Sequence, residues 1–273
     1  MVPNILPNWA RLALTIATAL SYLPQYHRVR EQGHCDGLSL YYVLFGLLNA
    51  TEQFAIGFFL NVNDTGFPRP DVFVNNPATA GDWFNFGQLA TVWLCSLLLF
   101  IISLRYSARN SQRRAPRGAV SAICVCFSLL TLFPVILDAL QPPTRSEPRR
   151  WAQEIVGLIH YLGILPASTI LAVAGVVPQV REMRSRTDAR ALSLPGLAVQ
   201  AVVFSLVAIS WMVRVKYPPY LPSWVEWYWL IGWPVVNNGL FAFAQGVLLW
   251  IVLRRPGDHE LPDDDERSPL LSS

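Results

Sequence analysis

The feature that most constrains this chain is a series of seven apolar stretches, each about 20 residues or longer and nearly free of charge. A helix needs about 20 apolar residues to cross the hydrocarbon core of a bilayer. The segments between the stretches contain proline, glycine and arginine, which end helices or stay in water. The sequence therefore predicts an all-α membrane protein with seven transmembrane helices. These helices are expected at residues 9–29, 38–60, 83–104, 118–140, 155–180, 192–213 and 229–253.

Composition fits a bilayer better than water. Of 273 residues, 53% are apolar and only 14% are charged, and the formal net charge of +3 gives no reason to expect nucleic acid as a partner. The sequence contains no phosphate-binding glycine loop, no nucleophile elbow and no metal-ligand spacing. We therefore expect no enzymatic activity, no cofactor and no metal.

The positions of the basic residues predict an orientation. When the Lys and Arg residues are assigned to alternate connections, fourteen fall on the side of the C-terminus and seven on the side of the N-terminus. Short cytosolic loops retain more Lys and Arg than loops on the other side of a membrane. We expect a lumenal N-terminus and a cytosolic C-terminus, an arrangement that requires an odd number of helices.

An internal repeat is the most specific signal. Residues 20–40 match residues 174–194 at a constant offset of 154, without a gap. Pro24-Gln25 aligns with Pro178-Gln179, and Leu-Ser-Leu at 38–40 aligns with the same tripeptide at 192–194. The match predicts two parallel three-helix repeats joined by a linker helix, a 3+1+3 arrangement. The expected units are 1–104 for the first repeat, 105–151 for a basic loop, the linker helix and a lumenal loop, 152–253 for the second repeat, and 254–273 for a disordered tail.

These matched segments resemble the PQ-loop repeat family, which includes lysosomal cystine and cationic amino acid exporters and, more distantly, the SWEET sugar transporters. The resemblance implies seven helices, a lumenal N-terminus and movement of a small solute by alternating access. The wider group also contains a retrieval receptor and proteins of lipid handling, so a cargo or sorting receptor and a scramblase remain alternatives. We expect a transporter for a small polar solute, an amino acid by resemblance, driven by protons across the vacuolar or lysosomal membrane.

The paired prolines suggest a gate. Proline removes a backbone donor and clashes with the preceding turn, so Pro24 and Pro178 are expected to kink their helices near the cytosolic ends. The side-chain amides of Gln25 and Gln179 could bind the carbonyls that such kinks leave free. Two hinges in matched positions predict a cytosolic gate. The alternative is that both prolines only end their helices.

A polar face on the second helix predicts proton coupling. Asn49, Glu52 and Gln53 have helical spacing that places them on one face, and Glu52 is the only acid well inside an apolar stretch. Glu52 is therefore the candidate for proton coupling, and Asn49 and Gln53 are candidates for the substrate path. A purely structural pairing of Glu52 is the alternative.

Further amides lie on the third helix of each repeat. Asn85 and Gln88 on one helix and Asn237, Asn238 and Gln245 on the other extend the predicted substrate path. In the related sugar transporters an asparagine on each third helix contacts substrate, and these residues look like the nearest counterparts. Hydrogen bonds between helices would explain them equally well. His160 is interpreted as structural, as a lone histidine on an apolar helix usually is.

The C-terminal segment contains a possible address. Glu266, Leu270 and Leu271 have the spacing of an acidic dileucine sorting signal, which resembles those that cytosolic adaptor complexes read on lysosomal or vacuolar proteins. The distribution of basic residues places this segment in the cytosol, where such a signal acts. The expected partners are thus a small solute, membrane lipids and adaptor complexes.

Overall fold

The computed structural model describes residues 6–63, 72–107, 117–142, 146–185, 192–215 and 223–254. These residues form long helices and no strands. Most of the predicted C-terminal tail, including its sorting signal, lies outside the described residues. The helices are α1 (Asn8–Gln32), α2 (Leu40–Val62), α3 (Ala80–Ser107), α4 (Arg117–Ala139), α5 (Glu147–Arg184), α6 (Leu194–Trp211) and α7 (Trp224–Leu253).

Six of the seven helices, α2 to α7, are long and apolar enough to cross a membrane. Large apolar side chains cover their outer faces, among them Leu130, Phe133 and Val202, each more than half exposed. A surface of this kind belongs in lipid rather than in water. The chain is therefore a multi-pass α-helical membrane protein, as its apolar stretches predict.

The first helix is long enough to span but is more polar than the others. Its polar residues face inward: Arg11, Thr18 and Ser21 are fully buried against neighbouring helices. Its outer face is apolar, with Leu12, Ile16, Leu20 and Leu23 about half exposed. This distribution inverts the amphipathic pattern of a helix on a soluble protein.

The helices pack in the same way in both halves of the chain. α3 packs against α1 and α2, and α7 packs against α5 and α6. Two further interfaces join the halves, since α1 packs against α6 and α2 packs against α5. α4 lies against α2 and the beginning of α5.

Two apolar clusters fill the two ends of this bundle. We call the end that contains Gln25, Gln179 and the segments before α2 and α6 the motif end, where Leu44, Met183 and Leu248 are fully buried. The other end, called the opposite end, contains the second cluster, with Phe73, Trp211 and Trp233. Phe73, from the connection between α2 and α3, stacks on Trp211 and Trp233 with ring centroids 5.7 and 5.2 Å away.

Two helices contain one wider turn each. In α5 the N–H of Leu165 donates to the carbonyl of His160, five residues earlier, just before Pro166. In α7 the N–H of Trp233 donates to Tyr228 in the same way, just before Pro234. π-Helix is rare and occurs mostly as single turns of this kind inside α-helices, frequently at functional sites. Both helices also begin earlier than predicted, at Glu147 and Trp224.

The early start of α5 has a local cause. Pro148 occupies the first turn, where a missing N–H costs nothing. Arg149 then reaches Asp138 at the end of α4, with Nε 2.9 Å from Oδ1, and both side chains are nearly buried. Gln153 donates to the other oxygen of Asp138. Polar contacts therefore hold a turn of helix that the apolar pattern alone places outside.

Candidate functional site

Each of the two motif glutamines, Gln25 and Gln179, forms hydrogen bonds with the backbone of the other half of the chain. Gln179 Oε1 accepts from the N–H of Ser39, and Gln179 Nε2 donates to the carbonyl of Gly37, both at 2.8 Å. In the matching position, Gln25 Oε1 accepts from the N–H of Ser193 at 3.0 Å. Both glutamines are buried. The sequence-based expectation that these amides bind carbonyls freed by the prolines is not what the structure shows, because they bind the segment before α2 or α6 in the other half.

The two prolines lie in different local surroundings. Pro24 is inside α1, which is helical without interruption from Asn8 to Gln32. Pro178 is three residues after Gly175, where the helical pattern of α5 is interrupted between Ala174 and Val176. Their role as hinges stays a prediction.

A cavity of about 250 Å³ begins at this motif end and extends into the bundle. It is lined by residues of α1, α2, α3, α5, α6 and α7, and among the described residues α4 contributes none. Five of the predicted path residues line it: Asn49, Gln53, Asn237, Asn238 and Gln245. The other polar lining residues are Tyr22, Gln25, Tyr42, Ser96, Thr169 and Gln200.

Several cavity amides are held by neighbours through one atom only. Asn237 Oδ1 accepts from Thr169 Oγ1 at 2.8 Å, and Gln245 Nε2 lies 2.7 Å from Tyr42 Oη. Asn237 Nδ2 and Gln245 Oε1 are buried and have no hydrogen-bond partner among the described residues. Leaving such an atom unpaired costs about 1–3 kcal/mol. The site therefore offers one fixed donor and one fixed acceptor to a polar molecule.

Glu52 does not line the cavity but pairs with a histidine behind it. Glu52 Oε1 lies 2.8 Å from His160 Nδ1, and both side chains are buried. Glu52 Oε2 has no hydrogen-bond partner among the described residues. His160 is the first residue of the π-turn in α5. Two titratable groups thus share a short contact inside the bundle, where the sequence interpretation had a lone histidine.

Asn85 and Gln88 belong to a different cluster from the other predicted path residues. Asn85 Oδ1 accepts from Arg11 Nη1 at 2.9 Å, and Gln88 Nε2 donates to Thr18 Oγ1 at 2.8 Å. Thr15 Oγ1 also donates to Gln88 Oε1. Neither amide is among the residues that line the cavity. Both amides therefore bind the inward-facing polar side of α1, whose direction the sequence does not show.

Two arginines near helix ends, which the sequence counts only among the basic residues on the side of the N-terminus, are buried at the opposite end. Arg11 and Arg214 have 0% and 5% of their surface exposed. Arg214 Nη1 shares the acceptor Asn85 Oδ1 with Arg11, at 3.5 Å. Burial and, secondarily, the charge of Arg11 lower the pKa of Arg214 to about 9.

Among the lining residues that the sequence did not predict, Gln200 has a recognisable signal. At the offset of the internal repeat, Gln200 corresponds to Gly46, and both line the cavity. Four other matched pairs line it as well, namely Tyr22 with Val176, Leu38 with Leu192, Val43 with Leu197, and Ala50 with Phe204. Reading both copies of the repeat in register would have found Gln200. Thr169, on α5, corresponds at this offset to Thr15, which does not line the cavity, so Thr169 has no such signal.

Comparisons with known proteins add no relative. No protein family model, no curated protein and no solved structure matches this chain.

Proposed function

We propose that this protein is a transporter that moves a small polar solute of the amino acid class across a membrane by alternating access. The cavity carries the proposal, because it is lined by helices from both halves and presents Asn237 Nδ2 and Gln245 Oε1 without partners among the described residues. A solute with its own acceptor and donor would satisfy both atoms. A volume of about 250 Å³ suits a small metabolite rather than a lipid or a peptide.

The proposal includes the 3+1+3 arrangement of PQ-loop proteins. The matched helix interfaces, the five pairs of lining positions and the contacts of Gln25 and Gln179 with the other half all support two parallel repeats around one cavity. α1 serves as the seventh span, with its apolar face toward lipid and its polar face toward α3 and α6. Pro24 and Pro178, which directly precede Gln25 and Gln179 in the chain, are the proposed hinges, and the two glutamines are the proposed gate.

The buried state of the polar residues favours a transporter over a scramblase. A scramblase needs a polar groove that is open to lipid headgroups. Asn49, Gln53, Asn237 and Asn238 are instead all less than 8% exposed. A cargo receptor needs no internal solute site at all, so the cavity also favours transport over that alternative.

We further propose that Glu52 and His160 couple transport to protons. A carboxyl group and an imidazole in contact inside a membrane can hold one proton or pass it on, which is a common role for such residues. The pair lies directly behind Asn49 and Gln53 on α2, so a change in its charge would act on the cavity wall. The proposal also places the protein in the membrane of an acidic organelle, on the basis of the sorting signal. It places the N-terminus in the lumen and the tail in the cytosol, on the basis of the distribution of basic residues.

Counterflow in proteoliposomes tests the solute proposal. Vesicles that contain the purified protein are loaded in turn with each unlabelled amino acid and given the labelled form outside. We expect accumulation of at least one, its loss in Asn237→Leu, and its retention in the control Asn61→Leu, which alters an amide on α2 that bonds within its own helix. No accumulation of any amino acid, together with fast scrambling of fluorescent phosphatidylcholine, would instead establish the lipid-handling alternative.

A second measurement tests proton coupling separately. Glu52→Gln should abolish uptake that is driven by an imposed pH gradient while leaving counterflow intact, because exchange requires no net proton movement. His160→Gln should have the same effect. Unchanged pH-driven uptake in Glu52→Gln would remove this pair from the mechanism without affecting the solute site.

A further inference from the structure

Arg214 at the opposite end has a guanidinium edge that makes no hydrogen bond with the described residues. Its Nη1 makes the long contact to Asn85, whereas its Nε and Nη2 are buried without a hydrogen-bond partner. These two nitrogens form the side of the guanidinium that binds two oxygens at once. The Arg214 guanidinium also lies over the ring of Trp211, 4.9 Å from its centroid, which fixes its plane.

A second buried cation lies beside Arg214. Arg11 is close enough to share the acceptor Asn85 Oδ1 with Arg214, and Arg11 also donates to the carbonyls of Leu6 and Gly81. The charge of Asp82 acts on Arg11. No described acid lies within ion-pair distance of Arg214. Among the described residues, Arg214 is therefore the cation whose paired nitrogens are left for a ligand.

We propose that Arg214, with Arg11 and Asn85, is a binding site for a carboxylate, separate from the cavity and at the other end of the bundle. A planar carboxylate matches the two nitrogens of Arg214 in a bidentate pair. Asn85 Nδ2, which is also buried and without a partner, is an additional donor beside it. A bound anion would also offset the repulsion between the two guanidinium groups.

The chemistry selects this class of ligand. A halide can contact the two nitrogens but cannot use their parallel directions as two oxygens do. The assignment of the site to the carboxylate of the transported solute, as it enters or leaves at the opposite end, rests on the proposed function. The binding of a carboxylate itself does not.

Thermal unfolding of the purified full-length protein in detergent, with sodium acetate as the probe, tests the site. Sodium chloride at equal ionic strength is the reference. We expect acetate to raise the midpoint of unfolding in a saturable way, since a ligand of the folded state stabilises it. Arg214→Gln should raise the half-saturating acetate concentration by roughly tenfold or more. The control Arg150→Gln removes the same charge from an exposed residue at the same end and should leave the response unchanged.

The outcomes separate this inference from the proposed function. If Arg214→Gln folds poorly, Arg214→Lys, which keeps the charge but not the paired nitrogens, should still lose most of the acetate response. An equal response to chloride and acetate, or a wild-type response in both variants, would overturn the site. Asn237→Leu should bind acetate normally although it has lost counterflow. A wild-type protein that exchanges amino acids but ignores acetate would refute the carboxylate site alone.

Discussion

The two ends of the bundle are closed by different kinds of contact. At the motif end, side-chain amides of Gln25 and Gln179 bind the backbone of the opposite half, in matched positions. At the opposite end, one residue from a single connection, Phe73, stacks on Trp211 and Trp233. The contacts at the motif end come from a repeat and consist of a few hydrogen bonds. The contact at the opposite end is an aromatic stack, and the described residues of the second half contain no matching stack.

The largest expected effect is therefore at the opposite end. Phe73→Ala should lower the free energy of unfolding by about 3–5 kcal/mol, because it removes a buried ring and leaves a cavity between two tryptophans. Titration with a denaturing detergent in mixed micelles measures this change. Phe133→Ala on α4, whose ring is 56% exposed toward the surroundings, is the control and should change the stability little. Equal effects of the two variants would show that the stack does not hold this end closed.

Substitutions at the motif end should lower the free energy of unfolding less than Phe73→Ala does. Gln179→Ala leaves the buried N–H of Ser39 and carbonyl of Gly37 unpaired and should cost about 1–3 kcal/mol by the same titration. Gln25→Ala should have a similar cost, because it occupies the matched position. Gln141→Ala, an exposed amide at the opposite end, should be neutral. A large difference between the two glutamine variants would argue against equivalent closures.

The smallest effect sharpens the comparison within the motif end. Ser193 Oγ accepts from the N–H of Gly196 and caps α6, whereas the matched Ser39 makes no such bond at the start of α2. Ser193→Ala should therefore cost about 1 kcal/mol, and Ser39→Ala clearly less. Unfolding of both variants under identical conditions checks this. Equal losses of stability would mean that Ser39 stabilises the start of α2 as much as Ser193 stabilises the start of α6.

The sequence was sufficient for the class of fold but not for all of its contacts. Apolar stretches of about 20 residues predict the helices, because length and hydropathy follow from the bilayer itself. The early start of α5 depends on the pairing of Arg149 with Asp138, which are eleven residues apart, and no local pattern encodes that pair. The repeat predicts that Gln25 and Gln179 are equivalent. The repeat could not show that each glutamine binds the other half of the chain, because a match between two copies does not identify the hydrogen-bond partners of either copy.

The site was predicted in part for a similar reason. Asn49, Gln53, Asn237 and Asn238 were found because amides in apolar helices face something polar. The same argument also selected Asn85 and Gln88, whose polar neighbours are on α1 rather than in the cavity. Arg11 and Arg214 were counted only as basic residues on one side of the membrane. A sequence shows that an arginine is near the end of a helix, but not whether its side chain points into the bundle or toward water. Glu52 was found, but its contact with His160 joins two helices that are distant in the chain.

Labelling of one cavity position from both sides of a membrane tests the central claim most directly. Asn238→Cys, in a chain whose four natural cysteines are replaced, is reconstituted in sealed vesicles and treated with a membrane-impermeant maleimide from outside or from inside. Alternating access predicts labelling from either side, with each reaction slowed by the exchanged amino acid. Labelling from only one side, whatever solute or pH gradient is present, would contradict a transport path through this cavity.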